Sequence, residues 1–282
     1  MTGAPPFSIL DGGAASPVVL SVPHAGRVYP LPLRAALRVP EAALLPLEDR
    51  YMDVLALAAR GVETTVVQQH ARAWIDLNRA ENERDPAVDD GADRLPLPLA
   101  SAKLRSGLGL VPRRASGTGD LWRRKWEAGE IERRIAQDHR PYHAAVAAAL
   151  SAARARFGTA VLLDLHSMPP LPGKGSARIV LGDRFGRAAA ARFVHRLETA
   201  VIGHGLRPAV NTPYAGGHIL DRHGAPAGGV HAVQIEFDRS LYLDRTLAQP
   251  GPGLERTAEL LRAMIRAVAD EALGGGATLA AE

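Results

Sequence analysis

The chain has 282 residues, of which 46% are hydrophobic and 23% charged, and it has no cysteine. Ordinary apolar content at this length excludes a disordered or fibrous chain, and the missing cysteines remove disulfides and every thiolate, so any bound metal must be held by nitrogen and oxygen. The net charge of +4 comes from 34 basic against 30 acidic residues, with lysine only at 103, 125 and 174.

In chain order, Met1 to Leu10 lacks the basic start and apolar core of a signal peptide. Short runs rich in β-branched residues predict strands at 17–22, 62–67, 73–77, 160–165, 177–181 and 230–237. Apolar residues at helical spacing predict helices around 42–60, 124–156, 184–204 and 252–272, with Gly205 and Gly274 as C-terminal caps. This alternation predicts an α/β protein, a mixed central sheet with helices covering both faces. Residues 80–119 hold few periodic apolar positions and many Asp, Pro, Gly and Arg. They read as a surface excursion of one 1–282 domain, of the kind that is functional when it is not disordered. The basic cluster Arg123, Arg124 and Lys125 is interleaved with Trp122, Trp126, Glu127 and Glu130, as on the solvated face of an amphipathic helix. No longer basic run and no apolar run of ~18 residues is present, so nucleic-acid and membrane partners are not expected and the expected location is the cytoplasm.

Ligands in α/β folds bind beyond the carboxyl ends of the strands, so polar residues there carry the chemistry. Pro23-His24-Ala25-Gly26 ends the first predicted strand, with a glycine that allows close approach. Asp164-Leu165-His166-Ser167 ends another, and Asp164 and His166, two apart, share one face of an extended chain. Glu236 interrupts an apolar strand. Such a carboxylate is costly to bury unless paired or used, and a raised pKa would suit a general base. Arg72 and Arg79, flanking Asp76 and Asn78, offer bidentate forks and an amide to an acidic small molecule. Two histidines and a carboxylate from separate strand ends, with a glutamate nearby, describe an open catalytic zinc site. The candidate carboxylate lies in Glu48-Asp49-Arg50-Tyr51-Met52-Asp53.

These motifs, in order, with Asn211-Thr-Pro-Tyr214-Ala-Gly-Gly217-His218 and Gln234-Ile-Glu236-Phe-Asp-Arg239-Ser-Leu-Tyr242, resemble the N-formylglutamate amidohydrolase family from about residue 17 to residue 245. That family looks related to the zinc carboxypeptidase and aspartoacylase group. The resemblance implies a three-layer α/β/α sandwich of the phosphorylase/hydrolase-like kind, around a mixed sheet. It implies Zn2+ held by His24, an acidic residue and His166, with Glu236 as general base. It also implies that Arg72, Asn78 and Arg79 bind substrate carboxylates, with Ser167 as a further substrate-binding residue and with His218 as a substrate contact or oxyanion stabiliser. Relatives of the carboxypeptidase type have His-x-x-Glu, where this chain has Arg27, so the acid must come from further on. The family's Asp-x-x-x-Asp-x-Leu pattern puts Asp49 on the ligand position, with Glu48 as the alternative. The implied reaction is hydrolysis of a small N-acyl amino acid, N-formyl-L-glutamate being the namesake and an intermediate of bacterial histidine degradation. A zinc exopeptidase and a non-catalytic binding protein on the same fold are the rival readings.

Overall fold

The computed structural model describes residues 5–92 and 101–278. The backbone clusters into two compact units. One comprises residues up to 8, 23–49 and 67–144; the other comprises 9–22, 50–66 and 145 onward.

The second unit is built on a mixed seven-stranded sheet of order β1-β3-β2-β4-β7-β5-β6. Its strands are β1 (Phe7–Leu10), β2 (Val18–Val22), β3 (Thr64–Gln68), β4 (Ala160–Met168), β5 (Ile179–Gly182), β6 (Pro208–Val210) and β7 (Val230–Asp238). The chain crosses between the units within β1 and β3. All nine residues of β4 are buried, which is why its first half, Ala160 to Leu163, reads as a continuous apolar run rather than an alternating one. It runs parallel to β2 and β7, while β5 is antiparallel to β7 and parallel to β6.

The helices are α1 (Leu31–Ala36), α2 (Met52–Ala59), α3 (Ala102–Arg105), α4 (Ala128–Arg134), α5 (Arg140–Phe157), α6 (Ala191–Gly203), α7 (His218–His223) and α8 (Leu254–Thr278). In the second unit α2 and α8 pack on β2 and β4, α6 on β5 and β6, and α7 on β4 and β7, completing an α/β/α sandwich. In α8 the buried residues Ala258, Leu261, Met264, Ile265, Val268 and Ala272 recur at the three- and four-residue spacing of one helical face. Glu271 on that helix pairs with Arg196 of α6 at 2.7 Å.

Several expectations need correction. Residues 73–77 form turns, not a strand. There the Asp76 carboxylate accepts the Asn78 N–H at 2.9 Å, a local bond that competes with a ladder. The expected 42–60 helix is two pieces, because a 3-10 helix over Glu41–Leu47 ends in an extended Glu48 before α2 begins. The expected 124–156 helix starts only at Ala128, where Glu127 and Glu130 form a capping box, so the basic cluster precedes the helix. Gly205 does take φ +74 just past α6, as a capping glycine should, whereas Gly274 lies within α8. Strands β1 and β6 are additions to the strands expected from the sequence. In the 80–119 stretch, 93–100 lie outside the described residues. Its remainder buries Val88, Ala92, Leu104, Leu110 and Val111, together with the ion pair of Arg84 with Asp89. Irregular turns spread these apolar positions without any period.

In β7, His231 is buried against Phe193 of α6, ring centroids 4.4 Å apart, and its Nδ1 accepts the Ala190 N–H at 3.2 Å. Burial, aided by Arg192, lowers its pKa from 6.5 to about 4, and burial does the same to His223, with Arg222 adding to the effect. Between about pH 6.5 and 4 the unfolded chain therefore binds more protons than the folded one, and stability falls as pH falls through this window. His231→Asn preserves an acceptor but removes the titration. In urea unfolding at pH 7 and pH 4.5 the variant should lose less stability than the parent, by on the order of 1–3 kcal/mol. Equal losses would show that His231 does not titrate in this way.

Candidate active site

In the unit that holds residues 23–49 and 67–144, the turn after β2 carries His24. Gly26 belongs there because the chain passes too close for a side chain: a Cβ at Gly26 would lie 2.1 Å from the His70 carbonyl oxygen. The Asp49 N–H donates to the His24 carbonyl at 2.9 Å, which fixes the break before α2 against this turn. His24 is buried, with Nε2 2.7 Å from Asp76 Oδ1 and Nδ1 3.5 Å from Asp49 Oδ2. Glu48, the neighbour, accepts the hydroxyl of Tyr29.

Asp76 is fully buried. Burial alone would raise its pKa, but Arg72, His24 and Arg79 outweigh that and hold its carboxyl well below the usual range. Arg72 donates from Nε to Asp76 Oδ2 at 2.9 Å and adds a terminal nitrogen at the same distance. Arg79 Nε is 3.9 Å from the same oxygen and donates to the Leu108 carbonyl at 2.8 Å, while NH1 donates to the Asn78 carbonyl at 2.5 Å. Arg72, Asn78 and Arg79 thus gather around one buried anion. A histidine whose one nitrogen is fixed by a carboxylate and whose other nitrogen faces a second carboxylate has the chemistry of a metal ligand with its orienting partner.

In the sheet unit a second polar group forms on one face. The parallel register sets His166 beside Glu236 and Asp164 beside Gln234, with Ser21 of β2 opposite Asp164. Asp164, fully buried, accepts Ser21 Oγ at 2.8 Å, and its other oxygen lies 2.8 Å from His166 Nε2. This repeats the carboxylate–histidine arrangement of Asp76 and His24. Gln234 donates its amide to Glu236 Oε1 at 2.8 Å, so the glutamate lies buried in a polar setting within an apolar strand. Ser167 accepts from Arg239 Nε at 3.0 Å. His218 is the first residue of α7, capped by Gly217, and is half-buried.

Of the residues expected from sequence, His24, Asp49, Arg72, Asn78 and Arg79 come together in one unit, and His166, Ser167 and Glu236 come together in the other. Asp76, Gln234 and Arg239 join these groups without having been expected there from sequence. Asp76 was visible as a carboxylate inside an apolar stretch, and Gln234 as a polar residue two before Glu236, hence on its face. Nothing in the sequence ties Arg239 to Ser167, since that contact joins two strand ends across adjacent strands.

Residues 16–243 match the family model described as N-formylglutamate amidohydrolase. An N-formylglutamate deformylase of Pseudomonas putida is 30% identical over 248 residues, covering 83% of this chain and 87% of that one. The N-formylglutamate deformylase of Pseudomonas aeruginosa is 29% identical over 270 residues, covering 92% of this chain and 94% of that one. Among solved structures, N-formylglutamate amidohydrolase from Ralstonia eutropha JMP134 superposes with a TM-score of 0.87 at 31% identity, covering 96% of this chain and all of that one. A match over most of the length, by sequence and by fold, places this chain in the N-formylglutamate amidohydrolase family.

Proposed function

We propose that the chain hydrolyses the formyl amide of N-formyl-L-glutamate, giving formate and L-glutamate, with zinc as its metal. The ligands in this reading are His24, Asp49 and His166, each buried and each offering one nitrogen or oxygen. The observation that carries it is the twofold use of one device: each histidine is fixed through Nε2 by a buried aspartate, Asp76 for His24 and Asp164 for His166. That arrangement sets the tautomer and raises ligand basicity. In a chain without cysteine the donor set is all nitrogen and oxygen, which suits a catalytic zinc site. Asp49 is preferred to Glu48 because it faces His24, whereas Glu48 is occupied by Tyr29.

When bound, such an ion supplies Lewis-acid polarisation of an amide carbonyl and acidification of water. Glu236, held at one oxygen by Gln234, takes the proton of the attacking water and delivers it to the amide nitrogen as the carbon–nitrogen bond breaks. Arg79 and Asn78, with Arg72, hold the glutamate carboxylates. Part of Arg72's fork is committed to Asp76, and Arg79 Nε and NH1 to the Leu108 and Asn78 carbonyls, so each offers the substrate only its remaining N–H groups. His218 and Ser167 complete the substrate contacts. The family names of the relatives in the two pseudomonads support the formyl substrate.

The deciding measurement is turnover of N-formyl-L-glutamate against N-acetyl and N-succinyl amino acids and dipeptides, together with metal analysis. About one zinc per chain and a clear preference for the formyl substrate are expected. Preference for dipeptides would make the protein an exopeptidase, and absence of both metal and turnover would make it a binding protein. Glu236→Gln should retain zinc and lose turnover by about 10²–10⁴-fold, since it removes proton transfer and no ligand. Loss of zinc would make Glu236 a ligand. Asp49→Ala should strip the metal while Glu48→Ala keeps it, as read by zinc content after dialysis, and the reverse pattern would exchange their roles.

A further inference from the structure

Several buried groups that the proposed chemistry does not use converge on one segment. Between α4 and α5, Ile135–His139 form a single turn of π-helix. Around it, Arg134, Asp138, His139 and His143 each reach into residues 70–79. Arg134 lies between the rings of Trp74 and Trp126, 3.7 and 3.8 Å from their centroids, and its NH1 donates to the Trp74 carbonyl at 3.1 Å. Asp138 takes His70 Nδ1 at 2.5 Å and Trp74 Nε1 at 3.4 Å on its two oxygens. His139 Nε2 donates to the Arg79 carbonyl at 2.8 Å, and His143 Nε2 to the Leu77 carbonyl at 3.0 Å. Both histidines are fully buried, with ring centroids 4.4 Å apart.

The π-turn makes this convergence geometrically possible. In an uninterrupted α-helix each residue advances about 100°, so His139 and His143 would lie about 140° and 180° around the axis from Arg134. One extra residue in a turn rotates everything after it back by roughly 100°, which turns the two histidines toward the face that carries Arg134 and Asp138. A sequence of this length accepts the poorer hydrogen bonding of a π-turn only where something is gained, and such turns concentrate at functional sites.

We propose that this π-turn is a positioning clamp for the Asp76–Arg79 segment, with His139 and His143 as the residues that set it. They grip Leu77 and Arg79 by their carbonyls, on either side of Asn78. Asp76 and the side chains of Asn78 and Arg79 are thereby held in place through their backbone. His139 and His143 are positioning residues, and their role in turnover rests on the deformylase reading above, whereas their hold on the segment does not.

The test compares two substitutions of like chemistry and different reach. Glutamine places its amide nitrogen near the position of histidine Nε2, and asparagine falls short of it. His143→Asn and His139→Asn should each raise KM for N-formyl-L-glutamate about tenfold or more while kcat changes less, and the glutamine variants should restore KM to within a few-fold of the parent. Independently of activity, amide hydrogen exchange in the peptide spanning 72–80 should quicken at least tenfold in the asparagine variants, with the 160–168 peptide unchanged. An unchanged KM with unchanged exchange overturns the clamp. Faster exchange throughout the chain overturns it too, since the histidines would then be supporting the fold in general. If the parent shows no turnover of the formyl substrate, the deformylase reading fails and the exchange result still decides the clamp. Should the asparagine variants fail to fold, His139→Met and His143→Met, which keep the bulk and lose the donor, decide it, faster exchange confined to 72–80 upholding the clamp and parental exchange overturning it.

Discussion

A carboxylate cannot sit in an apolar interior alone, and the two buried aspartates Asp76 and Asp164 determine what is built around them. Each is fully buried, and each meets its need with a histidine nitrogen, His24 at 2.7 Å and His166 at 2.8 Å. The remaining acceptor capacity then recruits more of the protein. Asp76 draws Arg72, Arg79 and the Asn78 N–H, and Asp164 draws Ser21 from the neighbouring strand. The cost of burying charge thus orders a shell of polar groups whose net effect is to aim two imidazole rings.

The two polar groups are supported by different kinds of structure. Asp164, His166, Gln234 and Glu236 stand on adjacent central strands, where backbone ladders leave little freedom. Asp76, Asn78 and Arg79 stand on turns, which have no ladder of their own. They are held by backbone bonds from the Asp76 N–H to the Leu110 carbonyl and from the Arg79 N–H to the Asp76 carbonyl, and by side chains that bond to the backbone: the Asp76 carboxylate on the Asn78 N–H, and imidazoles on the carbonyls of Leu77 and Arg79. A loop held at its carbonyls keeps its own side chains available for work.

The central strands, the long helices and the motif residues were legible because each leaves a local trace. β4 and β7 are short apolar runs, α8 has a clear period, and Asp164 with His166 shows the two-residue spacing of one strand face. What was not legible depended on contacts between distant residues or on turns without a period. The 73–77 run has strand-like composition, yet the Asp76 side chain diverts it into turns. Arg134 looks like one more surface arginine in a chain full of them, and only the structure reveals it buried between two tryptophans. His139 and His143 carry a helical i, i+4 spacing, but the π-turn that re-aims them leaves no mark in composition.

The one-to-one register of β4 and β7 has a consequence for how this site can change over time. His166 meets Glu236 only because the strands pair Ala160 with Val230 and step together to Met168 and Asp238. Deleting or inserting a single residue in either strand would turn every later side chain to the opposite face, exchanging Glu236 for an apolar neighbour. Point substitutions can be sampled one at a time along these strands, whereas length changes cannot. Variation in length is therefore confined to the loops, and the spacing from Asp164 to His166 and from Gln234 to Glu236 is inherited as a unit with the ladder.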